Sequence, residues 1–354
     1  MDTATASRAM RVFFDPGQRA HNPATELHNG GFVPYAEHVG RIDALTAAVI
    51  AAGHRLEEPA DFGIAPIAAV HNVDYLDFLQ HAHRRWREAG RDGDASGYAW
   101  PVVGRRSLTL NRIDGDLGQF SFDAATPIAA QSWHSARANA RTALSAVDAL
   151  LDGAAASCGL CRPPGHHAGA DYMGGYCYLN NVAIAAQYAR DNGVRRVAIL
   201  DVDYHHGNGT QDIFYSRDDV FFTSIHADPA TDFPFFWGHG DEHGEAAGKG
   251  YNANFPLPRG TRWHDYAVAL EQALAAITRF NPELLLISFG ADTLASDPIS
   301  HFVLELEDYP KMGAMVAATG LPSAIIMEGG YDVDHIGAAL TGFLSAFPTD
   351  APKA

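Results

Sequence analysis

The sequence predicts an α/β fold: a mostly parallel sheet with helices on both faces. Two observations carry that expectation. Short, unbroken apolar runs such as RVAILDVD at 196–203 and ELLLISF at 283–289 alternate with segments of helical period. Strands buried on both faces read as such runs, and their alternation with helices is the pattern of parallel sheets. No repeat, low-complexity tract or Pro/Ser-rich linker interrupts the 354 residues, so one domain spanning 1–354 is expected, a length ordinary for a single α/β unit.

MRVFFD at 10–15 reads as the opening strand. Residues 38–53 place apolar side chains at helical spacing and stop at Gly53, and 73–89 repeat the pattern. Over 90–122 the period fails, with Gly, Asp and Arg scattered among Tyr98, Trp100, Phe120 and Phe122. So many aromatics argue against disorder, and an ordered loop at an entrance or an oligomer contact is expected. An Ala-rich helix comes next, over 126–151. Strands are expected at 153–161, 196–203, 219–226, 283–289 and 322–328, and helices at 178–191, 264–279 and 308–319.

Lys+Arg total 25 against Asp+Glu 42, a formal net charge of −17. Nucleic acid and anionic membrane both require a basic face, so neither is expected as a partner, whereas a cationic small substrate remains compatible. Cys158, Cys161 and Cys177 are too few for a disulfide scaffold and suit a reducing cytoplasm. The single C-x-x-C lacks the second pair that a structural zinc site needs, and buried strand cysteines are expected. The N-terminal residues lack a secretory h-region, and no apolar run is long enough to span a membrane. A soluble cytoplasmic protein is expected. His71 is read as structural.

The chemistry collects where strands end, the place at which open parallel sheets bind ligands. Asp201, Asp203 and His205, two residues apart, would project from one face at the end of RVAILD. Two carboxylates buried side by side are very costly without a cation, and this mixed oxygen and nitrogen set suits a divalent transition metal. Taken alone, the Asp-rich strand also suits calcium or magnesium. Gly290-Ala-Asp292 ends the next run with another carboxylate. Glu328-Gly329-Gly330-Tyr331 ends the last, where the glycines would let the chain turn and aim Tyr331 inward. Zinc with three protein ligands and an open position is a catalytic arrangement that activates water and polarises a carbonyl. Arg162-Pro-Pro-Gly-His166-His167 supplies two adjacent imidazoles, one to deprotonate water and one to protonate a leaving amine. Tyr331 would donate to the oxyanion.

Taken together, VHNVDYLDFL, CRPPGHHA, GGYCYLNNVAIAA, VAILDVDYHHGNGTQDIFY, VFFTSIHADP, FGADTLASDPIS and MEGGYD resemble the zinc-dependent histone deacetylase superfamily. The opening RVFFDPGQRAHNPATEL and a long insertion at 84–122 resemble its bacterial acetylpolyamine amidohydrolase branch. The resemblance implies an arginase/deacetylase-like fold and one Zn²⁺ per chain on Asp203, His205 and Asp292. It implies that His166 and His167 form the tandem catalytic pair, Asp201 orients His166, Asn208 lies behind His167, and Tyr331 polarises the scissile carbonyl. Nuclear-type deacetylases carry Asp where Asn208 stands. Gly175, Tyr176 and Phe233 would line the substrate channel, with Ile299 near its mouth. Asp201 and Ser224, with backbone carbonyls, would hold a structural K⁺.

An acetylpolyamine-type substrate is the main expectation, with Asp114 meeting its distal ammonium. The branch's second acidic position falls near Ala125, where no carboxylate stands. Asp123 is the nearest substitute, at an offset that points it elsewhere on a helix. That departure, with the aromatic DFPFFWGHG text, keeps a neutral or xenobiotic amide such as dimethoate as an alternative, beside acyl-lysine peptides. A dinuclear manganese ureohydrolase needs more bridging carboxylates than these residues supply. A non-catalytic acyl-amine sensor has no need of the His pair and Tyr331. A homodimer or higher oligomer through the 84–122 insertion is expected.

Overall fold

A computed structural model describes residues 9–101 and 110–348. In chain order the strands are β1 (Arg11–Phe13), β2 (Thr25–His28), β3 (Gly31–Pro34), β4 (Arg55–Glu57), β5 (Ala156–Gly159), β6 (Val197–Asp201), β7 (Val220–Ala227), β8 (Asn252–Leu257), β9 (Leu284–Phe289) and β10 (Ser323–Met327). The helices are α1 (Gly40–Ala51), α2 (Ala65–Ala68), α3 (Val73–Glu88), α4 (Ile113–Gln119), α5 (Ser132–Leu151), α6 (Asn181–Asp191), α7 (Asn208–Phe214), α8 (Trp263–Phe280), α9 (Asp308–Ala317) and α10 (Ile336–Leu344). Eight strands form one sheet in the order β4-β1-β5-β10-β9-β6-β7-β8, with every neighbouring pair parallel. β2 and β3 make a separate antiparallel hairpin.

The apolar runs are continuous because successive side chains enter two different cores. In β6, Ala198 and Leu200 pack with Leu45, Leu270, Met312 and Phe343 of α1, α8, α9 and α10. Val197 and Ile199 face the other way, against Val147, Val182 and Phe214 of α5, α6 and α7. Each fully buried Leu, Ile or Phe contributes about 1.5–3 kcal/mol relative to exposure, so a one-residue slip of β6 would exchange its two faces and is strongly disfavoured. The strands carrying chemistry are thereby fixed in register at the centre of the sheet.

All six sequence-predicted strands are present, most of them shorter than expected. The edge strands β4 and β8 were not expected, because Arg55, Glu57, Asn252 and Asn254 interrupt their apolar pattern. The helix expected from 126 begins at Ser132 instead. Pro127 has no N–H to give, and Ile128 exchanges both backbone hydrogen bonds with Ala95. The 84–122 insertion is more ordered than a loop: α3 runs to Glu88 and α4 lies within it, while its residues 102–109 lie outside the described residues. All three cysteines are buried free thiols, and burial pushes each above the ordinary thiol range. Among the described residues no helix is long and apolar enough to cross a membrane. His71 is buried and accepts from the Asn180 N–H at 3.0 Å, as a structural residue does.

Candidate active site

β6 ends at Asp201, flanked in register by Ser224 of β7 and Ser288 of β9. Its side chain does not join the metal-type cluster that strand periodicity suggested. One Asp201 oxygen lies 2.9 Å from His166 Nδ1, and the other accepts from the Asp203 N–H at 3.1 Å. The strand stops there, so two-residue alternation no longer governs positions 202–205. Asp203 and His205 instead meet Asp292 from the end of β9, with one donor atom of each within 4.8 Å of the others. His205 Nδ1 lies 3.0 Å from Asp292 and 3.4 Å from Asp203.

Two glycines make this convergence possible. A Cβ on Gly290 would fall 2.1 Å from Asp203 Oδ2, and one on Gly329 would fall 2.5 Å from both Asp203 and Asp292. Gly330, at φ +113°, makes the turn that presents Tyr331. Burial and Asp203 push the Asp292 carboxyl up to about 7. Burial also opposes charge on Asp203, but His166 and His205 outweigh it and hold Asp203 below the usual carboxylate range. Two buried carboxylates beside one imidazole form a donor set that fits a divalent transition metal. These three residues are the candidate metal ligands. His166, Cys177 and Glu328 also approach one another, but Glu328 is already engaged by the Gly165 and His166 N–H groups at 2.6 and 3.1 Å.

The tandem histidines stand side by side with ring centroids 4.1 Å apart, yet their partners differ. Burial opposes charge on His166, but the carboxylates of Asp201 and Asp203 outweigh it and raise the imidazole to about 10. His167 lies 2.7 Å from the amide oxygen of Asn208, and burial, His166 and His205 push it well below the ordinary imidazole range. Asp201 thus favours charge on one ring, and burial favours the neutral form of its neighbour.

Tyr331 is held from two sides. Its backbone N–H donates to Asp297 at 2.7 Å. The Arg41 guanidinium lies 4.8 Å from its ring centroid and donates to the carbonyls of Glu328 and Gly330 at 2.6 and 2.5 Å. Arg41 is fully buried, tolerable because Glu37 pairs with it at 2.6 Å and with Arg162 at 2.9 Å. Burial pushes the Tyr331 hydroxyl well above its ordinary pKa despite Arg41, so it stays protonated.

A cavity of about 510 Å³ opens onto these groups. Gly175, Tyr176, Phe233 and Ile299 line it with His167, His205 and Tyr331. Phe233 packs edge-on against His167 at 5.2 Å and stacks on Phe122 at 5.6 Å. Gly175, at φ +54°, lies so close to His167 that a Cβ would fall 2.2 Å from its ring. Asp114 is not among the lining residues. It belongs to α4 and is consumed by ion pairs with Arg91 and Arg112, so within this chain the expected distal-ammonium contact is not made. Asp123 does line the cavity. It lies in a turn, not on a helix, and accepts from the Gly175 and Ala125 N–H groups at 2.5 and 3.1 Å.

Sequence reading missed Glu37, Arg41, Asp297 and the role of Glu328. Arg41 left a signal, as a charge within the buried stripe of α1 beside Ile42 and Leu45. The β2–β3 hairpin was missed as well, although Asn29-Gly30 is a strong hairpin turn signal. Both residues have positive φ, and Asn29 and His28 reach the cavity.

Residues 35–347 match the model of the histone deacetylase domain. Acetylpolyamine amidohydrolase 2 of Pseudomonas aeruginosa is 46% identical over 339 residues, covering 96% of this chain and 98% of that protein. Acetylpolyamine amidohydrolase of Mycoplana ramosa is 44% identical, covering 93% and 96%. The crystal structure of acetylpolyamine aminohydrolase from Burkholderia pseudomallei superposes with a TM-score of 0.92 at 39% identity, covering 96% and 98%.

Proposed function

Because the chain belongs to the histone deacetylase family, we propose that it is a zinc-dependent amidohydrolase that cleaves small acetylpolyamine-type amides to carboxylate and amine. The observation that carries this is that one cavity is lined by His205 of the Asp203/His205/Asp292 donor set, by His167 of the tandem pair and by the protonated Tyr331. In this reading Asp203, His205 and Asp292 hold one Zn²⁺, which when bound activates water and polarises the amide carbonyl.

The chain's own groups supply the rest. The Tyr331 hydroxyl donates to the amide oxygen as negative charge develops there. His167, neutral, takes a proton from the attacking water and returns it to the leaving nitrogen. His166, kept protonated by Asp201, balances the charge that builds between them. Tyr176 and Phe233 wall the chain of the substrate and exclude water. Asp123 faces the distal ammonium: it lines the cavity and, among the described residues, has no basic side chain paired with it, whereas Asp232 is paired with Arg259 at 2.8 Å. Asp201 and Ser224, neighbours across β6 and β7, would hold a monovalent cation with nearby carbonyls. The insertion, with Tyr98 and Trp100 exposed, would carry the contact of a homodimer.

The test is turnover of N-acetylputrescine against N-butylacetamide by the purified zinc-loaded protein. The two share the acetamide and the four-carbon chain and differ by one ammonium. A strong preference for acetylputrescine is expected. Equal rates would move the substrate to neutral amides, and no turnover of either would remove the small-amide reading.

A further inference from the structure

His167 is joined to a chain of hydrogen bonds whose directions are fixed from the far end. Asp212 lies on the outer face of α7, and the Tyr172 hydroxyl donates to its carboxylate at 2.6 Å. A carboxylate only accepts, so this bond uses the single proton of the hydroxyl. Tyr172 can then only accept from the next group, and the Nδ2 of Asn208 lies 3.3 Å from its oxygen. The other Nδ2 hydrogen is directed to the His167 carbonyl, also at 3.3 Å. Both partners are acceptors, so the Asn208 amide has one acceptable orientation, with Oδ1 toward His167 Nδ1 at 2.7 Å. An amide oxygen cannot donate. His167 must therefore carry its proton on Nδ1 and leave Nε2 bare.

We propose that Tyr172 and Asp212 are positioning residues that lock the tautomer of His167 through Asn208. An aspartate at position 208 would need no such device, because both of its oxygens accept and either rotamer selects Nδ1–H. An asparagine has two faces of opposite character, and a flipped amide would select the tautomer whose Nε2 cannot take a proton. The Tyr172–Asp212 pair adds a second fixed acceptor to the one the His167 carbonyl provides, so both Nδ2 hydrogens oppose a flip. Tyr172 packs its ring against Phe122 and Trp237 at 5.6 and 6.3 Å, contacts that favour its present rotamer. This rests on the reading of His167 as the base.

The experiment is a ¹H–¹⁵N correlation of the imidazole rings in the full-length zinc-loaded protein, which reports tautomers directly, run beside steady-state kinetics on N-acetylputrescine. Wild-type protein should show His167 as the Nδ1–H form. Tyr172→Phe should populate the Nε2–H form and lower kcat by about 10–100-fold, the usual cost of losing an orienting partner, with KM within about twofold. Asp212→Leu frees the Tyr172 hydroxyl to donate to Asn208 and should move both readouts the same way. It also keeps the proposal testable if Tyr172→Phe fails to fold. Wild-type tautomer in both variants, whether or not kcat falls, overturns the lock. A locked tautomer in a protein that turns over no amide would overturn the functional reading and leave the lock standing.

Discussion

The Tyr331 hydroxyl is buried and keeps its proton, which makes it a donor at any pH at which the enzyme would work. Tyr331→Phe should lower kcat by about 10²–10³ with bound metal unchanged; near-wild-type turnover would remove Tyr331 from the mechanism. Glu26 of β2 gives a second test. Burial raises its carboxyl to about 7, against the hydrogen bond from Tyr176 and with help from Asp123 and Glu37. The folded state therefore holds this proton more tightly than the unfolded chain. Stability should fall as pH rises from about 4.5 to about 7 and level off above. Glu26→Gln lacks that loss, so its thermal midpoint relative to wild type should improve between pH 5 and pH 8. An identical difference at both values would contradict the assignment. At this scale the sequence disclosed Asp203, His205, Asp292, the His pair and Tyr331, because each sits in a dense local motif. Strand alternation alone grouped Asp201 with the metal-type cluster, whereas the family resemblance placed it behind His166, where it lies 2.9 Å away; neither pointed to Glu26 or Asp297. A lone polar residue whose partner lies 150 residues away, as Tyr176 does from Glu26, leaves no local pattern.

The elements matter through their ends. The carboxyl ends of β6, β9 and β10 bring their loops within a few ångströms, and the glycines there are spacers as much as turns. Gly329→Ala would place a methyl group 2.5 Å from two carboxylate oxygens of the candidate metal cage. Metal affinity should fall by about tenfold or more while unfolding stays cooperative, as judged by competition with a chelator and by calorimetry. Full metal retention would show that the cage adjusts. The central strands were legible because burial on both faces writes an unbroken apolar run. The edge strands β4 and β8 were not, because polar residues that suit an exposed edge erase that run. The start of α5 was misplaced for a tertiary reason, the pairing of Ile128 with Ala95.

For the whole molecule, the excess of 42 acidic over 25 basic residues creates a field that favours cations. KM for N-acetylputrescine should rise as salt is raised from about 10 to about 150 mM, over which the screening length shrinks from roughly 30 to 8 Å. KM for neutral N-butylacetamide should stay flat. Parallel behaviour of the two would place recognition of the ammonium in short-range contacts alone. The fold class was fully legible at this scale. The placement of Asp114 was not, because its ion pairs depend on how the insertion folds back on α3. One contact ties α1 to the turn after β10: Arg41 grips the carbonyl of Gly330, 289 residues later. Until the turn after β10 has been made and has closed on that arginine, a growing chain has no Tyr331 to present. A product truncated between Asp292 and Tyr331 would carry all three candidate metal ligands and lack the candidate oxyanion donor.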